Sequence, residues 1–254
     1  VFGEFLEAQL AQARRSSAKQ NTFRTKHLND WVGARTAWMN MLLWQRQKRE
    51  IRLEDFAGCR AWIGVDLATK TDVAAVVVLI ERGDEYFVIP RFFVPESRLE
   101  ENEKYRTYVT GGQMIATPGE MTDYEFIEEE VKRICAVVDV VDVACDPHQA
   151  TYFMTRLQQS NLPVIEFPQI VKNMSEPMKE VEALTLARRL WQDGNPAMTW
   201  MIGNVVARID AKENIYPRKE ADELKIDGPV GLIIAMGRML FAPAAPSYSI
   251  HFVG

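Results

Sequence analysis

Residues 61–80 read AWIGVDLATKTDVAAVVVLI. A first apolar run ends at Asp66, a polar Thr69-Lys70-Thr71 follows, and a second apolar run begins, so the stretch is expected to be a β-hairpin. Residues 73–80 carry no charge and are mostly Val, Ile and Ala, which predicts a strand buried on both faces. Asp66 is the exception in this apolar setting. A carboxylate there is costly to bury unless something pairs with it, and a divalent cation is one such partner. Aspartate also starts turns, so Asp66 alone does not choose between the two readings. The choice depends on whether other carboxylates converge on it.

The rest of the composition sets the bounds. A chain of 254 residues with 47% hydrophobic and 26% charged residues has the make-up of a globular protein and can bury a core of ordinary size. No apolar run approaches the ~18 residues needed to span a bilayer, and no signal peptide opens the chain, so no membrane partner is expected. Cys59, Cys135 and Cys145 lack metal-ligand spacing and are expected to be reduced core thiols in a cytoplasmic protein. His27, His148 and His251 are too scattered for a zinc site. Residues 1–60 hold 11 Lys and Arg against 6 Asp and Glu, a net of +5, which leaves −10 for residues 61–254 out of the overall −5. A basic front on an acidic body suits limited contact with nucleic acid, and an acidic body suits a metal site.

Working outward, Phe2, Leu6, Leu10 and Ala13 have helical spacing. Arg14–Lys26 carries five basic residues and no acid, which fits a solvated hinge or a phosphate contact. Trp31, Trp38 and Trp44 are expected to anchor a linker, with a helix around Met39–Lys48. After the hairpin a third strand is expected over Tyr86–Val94, then a charged excursion over 96–111 and a short strand within Gly112–Thr117. Thr122-Asp-Tyr-Glu125 reads as a capping box, with Phe126, Ile127, Val131, Ile134 and Val138 on the buried face of its helix.

Val140–Asp146, VVDVACD, is the next clear strand. At ~3.3 Å per residue, Asp142 and Asp146 share a face but lie about 13 Å apart, too far to share one ion. Asp146 ends the strand, where open α/β sheets place their sites, and is equally placed to cap the helix expected over His148–Gln159. Asp142, at the other end, is expected to be solvated. A strand over Pro163–Phe167 precedes a helix expected to open at Ser175-Glu-Pro177 and run to about Trp191, with Gly194 past its end. Met198–Asp210 fits helix or strand, and Asn214–Arg218 is extended. The last strong element is Asp227–Leu240, DGPVGLIIAMGRML, whose small residues allow close packing on a sheet. An N-cap is the simplest account of Asp227. No P-loop, GxSxG, HExxH or CxxC is present.

The segments AWMNMLLWQRQ, GVDLATKTDVAAVVV, VACDPHQAT and NPAMTWMIGNVVARIDAKENIYPRKEADELKIDGPVGLIIAMGRM resemble the C-terminal nuclease region of tailed-phage terminase large subunits, the group typified by phage HK97. The similarity spans roughly residues 20–243, and Lys-Ile-Asp-Gly ahead of the last helix is its most specific part. The resemblance implies an α/β, ribonuclease-H-like mixed sheet flanked by helices. It implies an endonuclease that cuts concatemeric viral double-stranded DNA during genome packaging. Asp66, Asp146 and Asp227 match the family's metal-binding acids and would hold two divalent cations, Mg²⁺ or Mn²⁺. Such a pair, about 3.5–4 Å apart, activates water and stabilises the leaving 3′ oxygen. Asp72 is a minority candidate, and Asn204 and Lys219 lie in matching words without an assigned role. The implied partners are an ATPase domain preceding the nuclease, the terminase small subunit and the capsid portal, at the procapsid in the host cytoplasm. The corresponding division is 1–57 as a linker and helical segment, 58–243 as the nuclease domain and 244–254 as a loose tail, the chain being an excised fragment. Another ribonuclease-H-like enzyme, such as a junction resolvase or strand transferase, and a non-catalytic docking module remain alternatives.

Overall fold

A computed structural model describes residues 2–13, 37–67 and 71–241. The basic stretch Arg14–Lys26, His27, Trp31, the turn residues Thr69 and Lys70, His251 and the tail 244–254 lie outside the described residues. The helix expected at the start is α1 (Phe2–Ala13), and α2 (Met41–Arg46) is shorter than expected because Asn40 caps it. A 3-10 turn (Leu53–Phe56) then leads into β1 (Arg60–Asp66), β2 (Ala74–Arg82) and β3 (Glu85–Pro95).

The charged excursion is two short helices, α3 (Ser97–Glu101) and α4 (Glu103–Thr110), followed by β4 (Ile115–Thr117). Next come α5 (Tyr124–Cys135), β5 (Asp139–Cys145), α6 (Pro147–Gln159) and β6 (Val164–Glu166). The chain continues through α7 (Val171–Leu186), β7 (Leu190–Gln192), α8 (Pro196–Gly203), β8 (Val206–Ile209), β9 (Ile215–Arg218) and α9 (Asp227–Phe241). The ambiguous 198–210 stretch thus holds both a helix and a strand.

The main sheet has the order β4-β3-β2-β1-β5-β6, with β7 sharing the outer edge of β3 with β4. Only β2 runs against the others, so the sheet is mixed. β2 lies in its middle, and Ala74–Ile80 are buried on both faces, as their uncharged run predicts. Trp62, Val77 and Leu79 face a core with α7, α8 and α9, while Ile63, Val65, Val76 and Val78 face α5 and α6. Trp38 and Trp44 are buried in the first core and Leu53 and Phe56 in the second. The indoles of these two find acceptors: Trp38 donates to the Met178 carbonyl and Trp44 to Thr199 Oγ1. β8 and β9 form a separate antiparallel pair. Among the described residues no helix is long and apolar enough to cross a membrane.

Five local expectations are corrected. Pro177 lies inside α7, not in its first turn, and is buried there. α7 stops at Leu186, and a new strand, β7, occupies 190–192. The stop is a Schellman turn: Arg188 N donates to Thr185 O and Arg189 N to Leu184 O, with Arg188 at φ 58° where glycine is usual. In the expected capping box, Asp123 caps α5 through Glu125 N, while Thr122 Oγ1 donates to the Asp72 carbonyl. Asp142 is buried rather than solvated, because Arg238 of α9 pairs with it through Nε and Nη2 at 3.0–3.3 Å. The cysteines are free, but only Cys145 is fully buried; Cys59 and Cys135 are partly exposed.

Candidate active site

Strand register brings the first two acids together. Parallel pairing of Val65 with Cys145 sets Asp66 and Asp146 next along neighbouring strands, about 4.8 Å apart. Both lie at the carboxyl ends of their strands, and both alternate onto the α9 face, in step with Trp62 and Asp142.

Asp227 comes to the same edge through the crossing of α9 over β1. A methyl group on Gly64 would overlap the Gly231 carbonyl oxygen and stand 2.7 Å from Ala235 N. On Gly231 it would stand 2.9 Å from Val77 Cγ2 and 3.1 Å from Gly64 O. Two glycines therefore allow backbone-to-backbone contact. Asp227 is one helical turn before Gly231, and Asp66 is two residues beyond Gly64 on the same strand face.

The capping alternatives separate here. Asp146 does cap α6, its Oδ1 accepting from His148 N at 2.9 Å. Its Oδ2 accepts from Gln169 N at 3.2 Å. A carboxylate oxygen has two lone pairs, so neither bond exhausts it. Asp227 is the first residue of α9 and lacks the donors a cap needs. Pro229 has no N–H, Val230 N donates to Ile226 O, and Gly228 N points at Met201 Sδ.

Two further groups, neither of them named above as a site residue, complete the cluster. Gln169, in the loop after β6, donates its side-chain amide to Asp66 Oδ1 at 2.9 Å. Lys225 is buried and pairs with Asp72, and its backbone carbonyl accepts from Asn204 Nδ2 at 2.9 Å. Lys219 donates to the Asp222 carbonyl at 3.0 Å, and His148 is an exposed residue of the first turn of α6. Their partners are tertiary, and polar residues in loops carry no periodic signal that would have revealed them.

The electrostatics fit a cation site. Burial, then Asp227, then Asp146 and Asp72 push the Asp66 carboxyl up to about 8, against the lowering effect of the Gln169 hydrogen bond. Burial and Asp72 push Asp227 up to about 6, opposed by its own backbone N–H, Lys225 and Lys219. Carboxylates that resist ionising beside one another have a surplus of negative charge, and hard oxygen donors in that state suit a hard divalent cation. Among the described residues no three acidic, histidine or cysteine side chains converge closely enough to enclose a metal ion.

Comparison with known proteins gives the fold and the family. The model of the terminase large subunit endonuclease domain matches residues 3–242. Protein YmfN of Escherichia coli K12 is 37% identical over 268 residues, covering 99% of this chain and 59% of that protein. The terminase large subunit of Enterobacteria phage HK97 is 28% identical over 239 residues, covering 90% and 46%. The chain thus spans about half the length of these relatives. The crystal structure of the HK97 large terminase superposes with a TM-score of 0.72 at 28% identity, over 91% of this chain and 49% of that one. The large terminase nuclease of thermophilic phage G20c, solved with bound magnesium, shares the fold at a TM-score of 0.53 and 11% identity, over 82% and 99%. The mixed sheet flanked by helices is accordingly ribonuclease-H-like, and the chain belongs to the terminase large subunit endonuclease domain family.

Proposed function

We propose that this chain is a divalent-metal-dependent endodeoxyribonuclease that cuts concatemeric viral double-stranded DNA during genome packaging. The observation that carries the reading is the approach of Asp146 and Asp227 to Asp66 at one sheet edge, with Asp66 raised by burial, Asp227 and Asp146, and Asp227 raised by burial and Asp72. These three acids would hold the cations, Mg²⁺ or Mn²⁺, as their all-oxygen donor set favours. When bound, such a pair supplies an activated water and stabilises the departing 3′ oxygen. Lys225 neutralises Asp72, which leaves the three others to carry the anionic charge. The His148 backbone N–H orients Asp146.

The proposed nuclease unit is 58–243. The segment 1–57 leads into it, and the described residues 37–57 pack on its cores through Trp38, Trp44, Leu53 and Phe56. An ATPase domain elsewhere in the longer protein, the terminase small subunit and the portal are the proposed partners, with action at the procapsid in the host cytoplasm.

The test is nicking of supercoiled plasmid with Mn²⁺, spared by chelator. Asp66→Asn, Asp146→Asn and Asp227→Asn should each cut cleavage by roughly 10³-fold, since metal stabilisation of the transition state amounts to several kcal/mol. Asparagine still caps α6 at position 146, so lost cleavage there would not reflect a lost helix. Failure of the unsubstituted chain to nick DNA with any divalent cation would favour a non-catalytic docking module.

A further inference from the structure

Gln169 makes contacts that the packing of its own loop does not require. The loop is already fixed: Phe167 N donates to Cys145 O at 2.8 Å, and the buried Phe167 ring lies where a methyl on Gly237 would stand 2.5 Å from its Cζ. Ile170 N and Asn173 Nδ2 both donate to the Pro168 carbonyl, at 2.8 and 2.9 Å. From that base Gln169 reaches two acids on neighbouring strands, Asp66 through its side-chain amide and Asp146 through its backbone N–H. Its carbonyl accepts from the Tyr216 hydroxyl at 2.8 Å, and Tyr216 belongs to β9, which is tied to α7 by Ile215 N donating to Ser175 Oγ at 3.1 Å.

We propose that Gln169 is a positioning residue of the cation site, bridging Asp66 and Asp146 and held in place by Tyr216. The inference rests on the metal-site reading above and adds a residue to it. Contrast within the site argues for positioning over competition with the cation. Lys225 cancels the charge of Asp72, whereas the side-chain amide and backbone N–H of Gln169 are neutral and take one lone pair from Asp66 and one from Asp146. It fixes the two carboxyl groups in orientation and adds no positive charge beside them.

The test uses Mn²⁺ alone as probe, with the 254-residue chain and no DNA, read by titration calorimetry. Gln169→Ala should weaken Mn²⁺ binding about 10–100-fold, the usual cost of losing a group that orients a metal ligand. The Mn²⁺ concentration for half-maximal nicking should rise in parallel, with much of the rate recovered at saturation. Tyr216→Phe, which deletes one hydroxyl, should shift affinity in the same direction by less, and serves if Gln169→Ala fails to fold. A merely structural residue would instead lower melting in chelator and leave the Mn²⁺ Kd of folded protein unchanged. Equal or tighter Mn²⁺ binding by Gln169→Ala would overturn the proposal while leaving the metal-site reading intact. Absence of Mn²⁺ binding by the unsubstituted chain would overturn both.

Discussion

Two aspartates four residues apart, Asp142 within β5 and Asp146 just past its end, share one face, and their fates differ through their partners. Asp146 stands at the open edge among other acids, whereas Asp142 is enclosed under α9 and answered by Arg238 in a two-pronged ion pair, both side chains largely buried. Removing one member of such a pair leaves a buried charge alone. Asp142→Ala should therefore cost about 3–5 kcal/mol of stability, measured by urea denaturation. The double replacement Asp142→Leu with Arg238→Met should regain most of it, because well-packed apolar groups often substitute for a buried pair. Cleavage per folded molecule should be unchanged in both, since the pair lies about 13 Å down the strand from Asp146. An Asp142→Ala protein as stable as the parent would mean that the pair contributes nothing.

Between elements, the governing contact is the crossing of α9 over β1 at Gly64 and Gly231. Gly64→Ala inserts a methyl into backbone on the facing helix, with no flexible side chain to yield. Overpacking of this kind costs about 1–3 kcal/mol, occasionally more, and α9 must shift outward to relieve it. Asp227 then moves away from Asp66, so Gly64→Ala should lose far more plasmid cleavage than its melting temperature explains. Full activity in a folded Gly64→Ala protein would show that the crossing does not set the spacing of the acids. Much of this level was legible in the sequence. Apolar runs located β1, β2 and β5, capping residues and apolar spacing located α5 and α6, and the small residues of 227–240 announced close packing. The misses share a cause, which is that their signals lie far off in sequence. Arg188 takes a left-handed turn position that glycine usually marks, so the end of α7 was hidden. Pro177 reads as a helix start unless the preceding turn is known to be helical. Nothing in VVDVACD tells of an arginine 96 residues on, or of a glutamine in the loop after β6 that spans two acids.

At the scale of the whole molecule, an acidic body concentrates charge at one sheet edge, and this should make its stability depend on pH and cation together. Unfolded aspartate has a pKa near 3.9, whereas folded Asp66 and Asp227 are raised to about 8 and about 6. Between those limits the folded protein keeps protons that the unfolded chain has released. Their contribution is therefore fully present below about pH 4 and is lost as pH rises through 6 and then 8. Glu128 and Glu130, held low by Lys132, Arg156, Arg133 and Arg91, act in the opposite sense, losing their contribution as pH falls below the ordinary carboxylate range. Metal-free protein should thus lose stability from about pH 5 to 8. Asp227→Asn removes one raised carboxyl and also relieves Asp66, so in chelator it should melt higher than the parent, by a margin that widens from pH 5 to 8 and closes near pH 4. Mn²⁺ should reverse the order at pH 7.5, because a cation that binds only the folded state raises its stability and the parent binds it better. Melting temperatures of both proteins across pH 4–9, with chelator and with Mn²⁺, provide the check. Parallel curves in chelator would mean that Asp66 and Asp227 do not burden one another in the folded protein. An unchanged order in Mn²⁺ would mean that the charge gathered at this edge is not there to hold a cation.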